Sequence, residues 1–165
     1  MRLRGEGARV GMVLLLLVVL HFALRPMLGY PRIAPDFLLL ALMVYAIRAR
    51  PGHGAIAGFL VGLLADSLSL AAFGAGALSH TMIGYFAAWG KAVFFADNLF
   101  VNAVFFFCGT WVRDALVLLV GRHAQGTALY WQLGVWSPLL ALTTAIAGIA
   151  VSLLFRRWLH IRIAE

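Results

Sequence analysis

The stretch GHGAIAGFLVGLLADSLSLAAFGAGALSH, residues 52–80, decides how the chain folds. It is almost wholly apolar, yet Gly54, Gly58 and Gly62 recur at intervals of four and Asp66 follows at the same interval. Residues four apart share one face of a helix, so these side chains form one stripe. Small residues let two helix backbones approach closely in lipid. Glycine is also common in membrane helices generally. Three successive intervals of four residues nevertheless favour close packing of this helix against another helix.

The composition is typical of a membrane protein. Of the 165 residues, 64% are hydrophobic and 12% are charged, whereas a soluble domain carries about 25% charged residues. The apolar runs are continuous and do not alternate, which predicts an all-α integral membrane protein and excludes a β-barrel. The net charge of +7 does not indicate nucleic acid, because the basic residues flank the apolar runs, where they contact anionic lipid. The single cysteine, Cys108, excludes an internal disulfide.

The apolar pattern predicts one transmembrane domain of six helices, at 10–28, 35–49, 54–73, 74–95, 98–120 and 134–155. Spanning a bilayer takes roughly 20 residues, so the second helix is short, and full or partial crossing stays open. The basic N-terminus resembles a signal peptide. Because no small-residue cleavage site follows it, we interpret it as an uncleaved first helix.

The basic residues predict the orientation of the bundle. With the N-terminus inside, nine of them fall in inner segments (Arg2, Arg4, Arg9, Arg48, Arg50, Lys91, Arg156, Arg157 and Arg162), and three in outer segments (Arg25, Arg32 and Arg122). This asymmetry favours six helices with both ends in the cytoplasm. A five-helix topology would leave the C-terminal arginines outside.

Several polar residues fall at one depth of this bundle. Counting 1.5 Å per residue places Asp66 about 18 Å above the inner end of its helix, and the other groups at similar heights. The predicted buried polar layer comprises Asp36, Asp66, His80, Arg113 and Asp114. Arg113 is the expected cation for Asp66 or Asp114. The layer is either an ion-pair network that fixes the fold or a ligand or proton site, and a balanced cluster favours the network.

The segment AAFGAGA, residues 71–77, is the predicted reversal between the third and fourth helices. Gly74 permits a tight turn, and Phe73 is expected to insert into the bundle or the headgroup region. No catalytic or cofactor-binding motif occurs in the chain: Ser79 and His80 are adjacent, but neighbouring helical residues point about 100° apart. We therefore expect neither enzyme activity nor a cofactor.

The order of several short motifs resembles the MreD family. They are R-x-x-P-D (Arg32, Pro35, Asp36), G-x-x-x-G-L-L-x-D (Gly58, Gly62, Leu63, Leu64, Asp66), F-G-x-x-A-L (Phe73, Gly74, Ala77, Leu78), the pair Gly84 and Tyr85, and Asp114 in helix five. The resemblance covers roughly residues 10–155.

The resemblance implies a function. A protein similar to MreD is expected to be a non-enzymatic subunit of the rod-shape (elongasome) machinery in the bacterial inner membrane. Its implied partners are MreC, MreB filaments and the RodA–penicillin-binding-protein synthase, which direct peptidoglycan synthesis. Its implied fold is similar to the substrate-binding subunits of energy-coupling-factor transporters, so a vitamin-binding subunit is the alternative. The glycine-lined and aromatic faces are the expected docking surface for the MreC helix.

Overall fold

The structure, a computed structural model, describes residues 2–30, 32–67, 73–94, 99–121 and 126–155. All regular structure in these ranges is helical, which confirms the all-α prediction. The helices are α1 (Arg2–Ala23), α2 (Phe37–Ala46), α3 (Pro51–Ser67), α4 (Ala75–Phe94), α5 (Leu99–Gly121), α6 (Thr127–Trp131) and α7 (Ser137–Leu154). A 3₁₀ turn, Arg25–Leu28, follows α1, and a π-helical turn, Gln132–Trp136, joins α6 to α7.

Two segments of the described chain are long and apolar enough to cross a membrane. They are Leu99–Gly121, of 23 residues, and the continuous helical stretch Thr127–Leu154, of 28 residues. Both exceed the roughly 20 residues that the hydrocarbon core of a bilayer requires. These helices indicate a membrane protein. The number of crossings and the orientation stay predictions.

Helix α2 lies at the centre of the bundle. It has ten residues, of which nine are buried, and Leu39, Leu40 and Met43 are completely enclosed. A helix that is apolar on every side is one that is surrounded by protein or lipid. Here α2 packs against α1, α3 and α4 and also meets α5 and α7. The other helices of the described chain therefore enclose α2.

The glycine stripe of α3 packs directly on α4, which is its most extensive helix contact. A Cβ atom at any of the three glycines would overlap the backbone of α4. The contacts run in antiparallel order: Gly54 against Gly84 and Ala88, Gly58 against His80 and Thr81, and Gly62 against Gly76 and Ala77. The two backbones touch along the length of the stripe, as small residues in membrane helices allow.

This packing corrects the expected use of the stripe. We expected Gly54, Gly58 and Gly62 to receive a helix from a partner protein. The structure places α4 of the same chain on that face. The face is therefore covered and is not accessible to a helix of another protein. Sequence periodicity identifies a face that packs closely, but it does not identify the helix that covers it.

A second close seam, between α5 and α7, was not predicted. Phe106 of α5 lies over Gly148 of α7, where a Cβ atom would overlap the phenyl ring. Thr110 of α5 and Thr144 of α7 are fully buried, and each hydroxyl donates to the carbonyl oxygen four residues earlier in its own helix, at 2.7 Å. Small and hydroxylated residues thus bring these helices together without leaving the hydroxyl groups unpaired.

The reversal between α3 and α4 depends on Gly74. Its φ of 101° lies in a region that side-chain-bearing residues rarely adopt. Phe73 beside it is 67% exposed. It therefore does not insert into the bundle, and insertion into the headgroup region stays a prediction.

We predict opposite effects for two Gly→Ala changes in α3. Gly58→Ala forces a methyl group into the backbone of His80 and Thr81 and is expected to cost about 1–3 kcal/mol by overpacking. Gly52→Ala places the same group where nothing lies within 4 Å, so it should gain up to about 1 kcal/mol in helix propensity. The thermal midpoint of the purified protein in mild detergent measures both. Equal midpoints for the two variants would contradict the packing described.

Candidate functional site

All five residues of the predicted polar layer are buried, but the structure separates them into two clusters. Asp36, Arg113 and Asp114 meet where α2, α5 and α7 converge, and we call these residues the charge cluster. Asp66 and His80 lie at the junction of α3 and α4. The layer is therefore two sites with different chemistry.

Arg113 is the centre of the charge cluster. Its Nη2 donates to Asp36 Oδ2, and its Nη1 lies 3.7 Å from Asp114 Oδ1. One guanidinium on α5 therefore faces a carboxylate from α2 and a carboxylate from its own helix. Burying a charge is costly unless it is paired and hydrogen-bonded, and here the pairing holds α2 against α5.

Asp36 also caps the N-terminal end of α2. It is the N-cap residue, and its Oδ1 accepts the backbone N–H of Leu39 at 3.0 Å. Its own backbone N–H donates to Thr144 Oγ1 at 3.0 Å. An aspartate N-cap satisfies one of the unpaired N–H groups at the start of a helix. The residue thus caps α2, pairs with α5 and bonds to α7.

Asp114 has a second partner of its own. The Ser137 hydroxyl, at the first residue of α7, donates to Asp114 Oδ2. Ser137 is fully buried. The serine was not predicted as part of the layer, because a lone serine in an apolar run has no sequence signal that distinguishes it from a packing residue.

His21 of α1 is a further residue that sequence reasoning placed outside the layer. Its Nδ1 accepts the backbone N–H of Leu38 at 3.1 Å and lies 3.3 Å from Asp36 Oδ1. His21 and Asp36 together cap two successive N–H groups of α2. In the sequence, only the depth of His21 in the first helix could have indicated that it belongs to the layer.

Arg25 lies at the edge of the charge cluster, in the 3₁₀ turn after α1. Its Nη1 lies 3.4 Å from His21 Nε2. A second cation therefore lies beside His21, at the edge of the cluster.

Asp66 is held by backbone groups and does not pair with Arg113. Its carboxylate accepts N–H groups from Gly74, Gly76 and Ala77, each at 2.9 Å. These groups belong to the start of α4, where unpaired N–H groups and the helix dipole favour a negative charge. Of the two acids predicted to pair with Arg113, the structure brings Asp114 to it, at 3.7 Å, and not Asp66, because the backbone of α4 already supplies three donors to Asp66.

His80 stabilises the first turns of α4 and faces α3. Its Nδ1 lies 2.8 Å from the carbonyl oxygen of Gly76 and donates to it. The neighbouring hydroxyls of Ser79 and Thr81 also donate to carbonyl oxygens of this helix. The backbone of His80 lies against Gly58. The residue is therefore part of the α3–α4 seam and is not oriented as a general base towards Ser79.

The geometry favours the structural interpretation of both clusters. Each carboxylate of Asp36, Asp66 and Asp114 has at least one hydrogen-bond donor, and the contacts of Asp36 and Asp114 join elements that are distant in the sequence. Buried ionisable groups in membrane proteins either mark functional sites or hold helices together. These contacts fix the relative positions of the helices, although the buried Nε of Arg113 has no hydrogen-bond partner among the described residues.

Comparison with known proteins identifies one family. The family model for MreD, described as rod shape-determining protein MreD, matches residues 6–159 of the 165-residue chain. Neither the curated proteins nor the solved structures contain a match.

We predict that Asp66→Asn destabilises the protein by about 1–3 kcal/mol, because the amide nitrogen would face backbone donors and leave at least one of them unsatisfied. Ser67→Ala is the control, since this neighbouring hydroxyl is exposed and bonds only within α3. The thermal midpoint in detergent measures both variants. An Asp66→Asn protein as stable as Ser67→Ala would contradict the capping role.

A double-mutant cycle tests the ion pair. Asp36→Asn keeps an N-cap residue but removes the charge, and Arg113→Gln removes the partner. Each single change should cost about 3–5 kcal/mol, because it leaves a buried charge uncompensated, and the double variant should cost less than the sum. Pairing Arg113→Gln with Asp66→Asn is the control, for which we expect additivity. Equal coupling in both pairs would contradict the assignment.

Proposed function

We propose that this chain, which belongs to the MreD family of rod shape-determining proteins, is a non-enzymatic membrane subunit that binds an MreC-like protein and helps to position peptidoglycan synthesis. The observation that carries the proposal is the family match over residues 6–159. Membership implies a role in determining rod shape, within machinery that works through protein partners. We further propose six membrane crossings in the bacterial inner membrane, with both ends in the cytoplasm.

The buried clusters support a binding role over a chemical one. Arg113 is directed at two carboxylates, and Asp66 accepts three backbone N–H groups. Carboxylates that already accept such donors are poorly placed to take up a substrate, since a new contact would have to replace an existing one. They instead give the bundle a defined shape, which a partner helix can recognise.

We place the docking surface on α1. Helix α1 packs mainly on α2, through Val13 and Leu17, which are almost completely buried. Its other side presents Gly7, Gly11 and Leu15 at intervals of four. Nothing in the described residues lies within 4 Å of a Cβ atom at either glycine. Unlike the stripe of α3, this pair is open to a second backbone, which small residues admit in lipid.

Co-purification tests the assignment as a whole. The tagged full chain is extracted in mild detergent, and the accompanying proteins are identified by mass spectrometry. Recovery of a single-span, MreC-like protein with wall synthases such as RodA, or with MreB filaments, supports the proposal. Recovery of a transporter ATPase pair, or of a bound vitamin, contradicts it and favours the solute-binding alternative.

We predict that Gly11→Leu lowers recovery of the MreC-like partner at least severalfold while the chain remains folded. The added side chain meets open space within the chain but would hold a docking helix away from α1. Gly52→Leu is the matched control, because it introduces the same side chain at another open helical glycine, in α3. Unchanged recovery with Gly11→Leu would exclude the α1 face and leave the family assignment intact.

A further inference from the structure

An apolar groove separates α4 from α5. Its volume is about 300 Å³, and nine residues line it, none of which carries a charge. Met43 of α2 and Gly109 of α5 form its floor, where a Cβ atom on Gly109 would overlap the Met43 methyl group. Phe86 of α4 and Val112 of α5 border its mouth and are 54% and 44% exposed. The groove therefore opens at the side of the bundle.

The groove exists because α4 and α5 have their closest partners elsewhere. The small residues of α4, Gly76 and Gly84, face α3, and Phe106 of α5 faces Gly148 of α7. The surfaces that α4 and α5 turn towards one another carry larger side chains, among them Ile83 and Phe105. These side chains hold the two backbones apart, and the space is not filled by the described residues.

The position of the groove limits what can occupy it. Cys108 and Gly109 lie near the middle of α5, about 15 Å along a helix that is long enough to cross a membrane. In a spanning helix, this is the centre of the hydrocarbon core, where no water or headgroup is present. The occupant must therefore be apolar.

The size of the groove decides between a lipid and a protein. A helix with its side chains is about 10–12 Å wide, and its backbone would need a small-residue surface. The floor glycine is already covered by Met43. A thin, flexible chain is what fits.

We propose that this groove binds one acyl chain of a membrane phospholipid. The chain fills a space whose walls would otherwise lose their dispersion contacts on one side. Its headgroup stays at the membrane surface, and the groove holds the middle of the chain against Cys108 and Val112. The proposal rests on α5 crossing the membrane and does not depend on the proposed role in cell shape.

Photo-crosslinking tests this proposal. The full chain is reconstituted into phospholipid vesicles that contain a phosphatidylcholine with a mid-chain diazirine, and the adducts are located by tandem mass spectrometry. We expect adducts at the groove residues Phe86, Val104 and Cys108 to exceed severalfold those at Ile56 and Leu60, which are more exposed and lie on the outer side of α3. Adducts in proportion to exposure on both surfaces would overturn the proposal.

Two variants provide the matched comparison. Cys108→Trp fills the groove from an exposed position, so groove adducts should be lost while the α3 adducts stay unchanged. Leu119→Trp adds a tryptophan to an exposed site of the same helix outside the groove and should leave both unchanged. Groove adducts that persist in Cys108→Trp would overturn the proposal.

Discussion

The ion pair between Arg113 and Asp36 joins the short, enclosed helix α2 to the long helix α5. Asp36 is also the N-cap of α2 and bonds to Thr144 of α7, while His21 of α1 caps the neighbouring N–H group. Four helices therefore meet at one helix terminus. In apolar surroundings, every unpaired N–H group and every charge must be satisfied inside the protein. Here α1, α5 and α7 pack around the start of α2, and the N–H groups of Leu38 and Leu39 and the charge of Arg113 each have a partner.

Two close seams complete the bundle, and each uses small residues. Between α3 and α4 the backbones touch at three glycines, and between α5 and α7 the phenyl ring of Phe106 lies on Gly148. Since each helix has a limited number of small-residue faces, close contact on one side leaves a looser contact on another. The apolar groove between α4 and α5 is the result. The distribution of glycines thus accounts both for the two close seams and for the apolar groove.

The depth of a polar residue along its helix predicts that it is buried in the polar layer, but depth alone does not identify its partner. The count of residues along each helix places Asp66, Arg113 and Asp114 at similar depth, and it offers either acid as the partner of Arg113. Depth does not include lateral position in the bundle or the rotation of a helix about its axis. The structure directs Arg113 to Asp36, and the carboxylate of Asp66 accepts N–H groups from the start of α4. His21 and Ser137 were missed because a single polar residue in an apolar run has no periodic signal.

The sequence by itself determined the class of the protein, its helical structure and the face of α3 that packs closely. Composition and periodicity report on the solvent around each residue and on the face to which it belongs, and both are local properties of the chain. Only the tertiary structure decided that α4 covers the glycine stripe, that α2 is enclosed, and which acid pairs with Arg113. These are choices among neighbours, and they depend on how every helix end and every charge is satisfied at the same time.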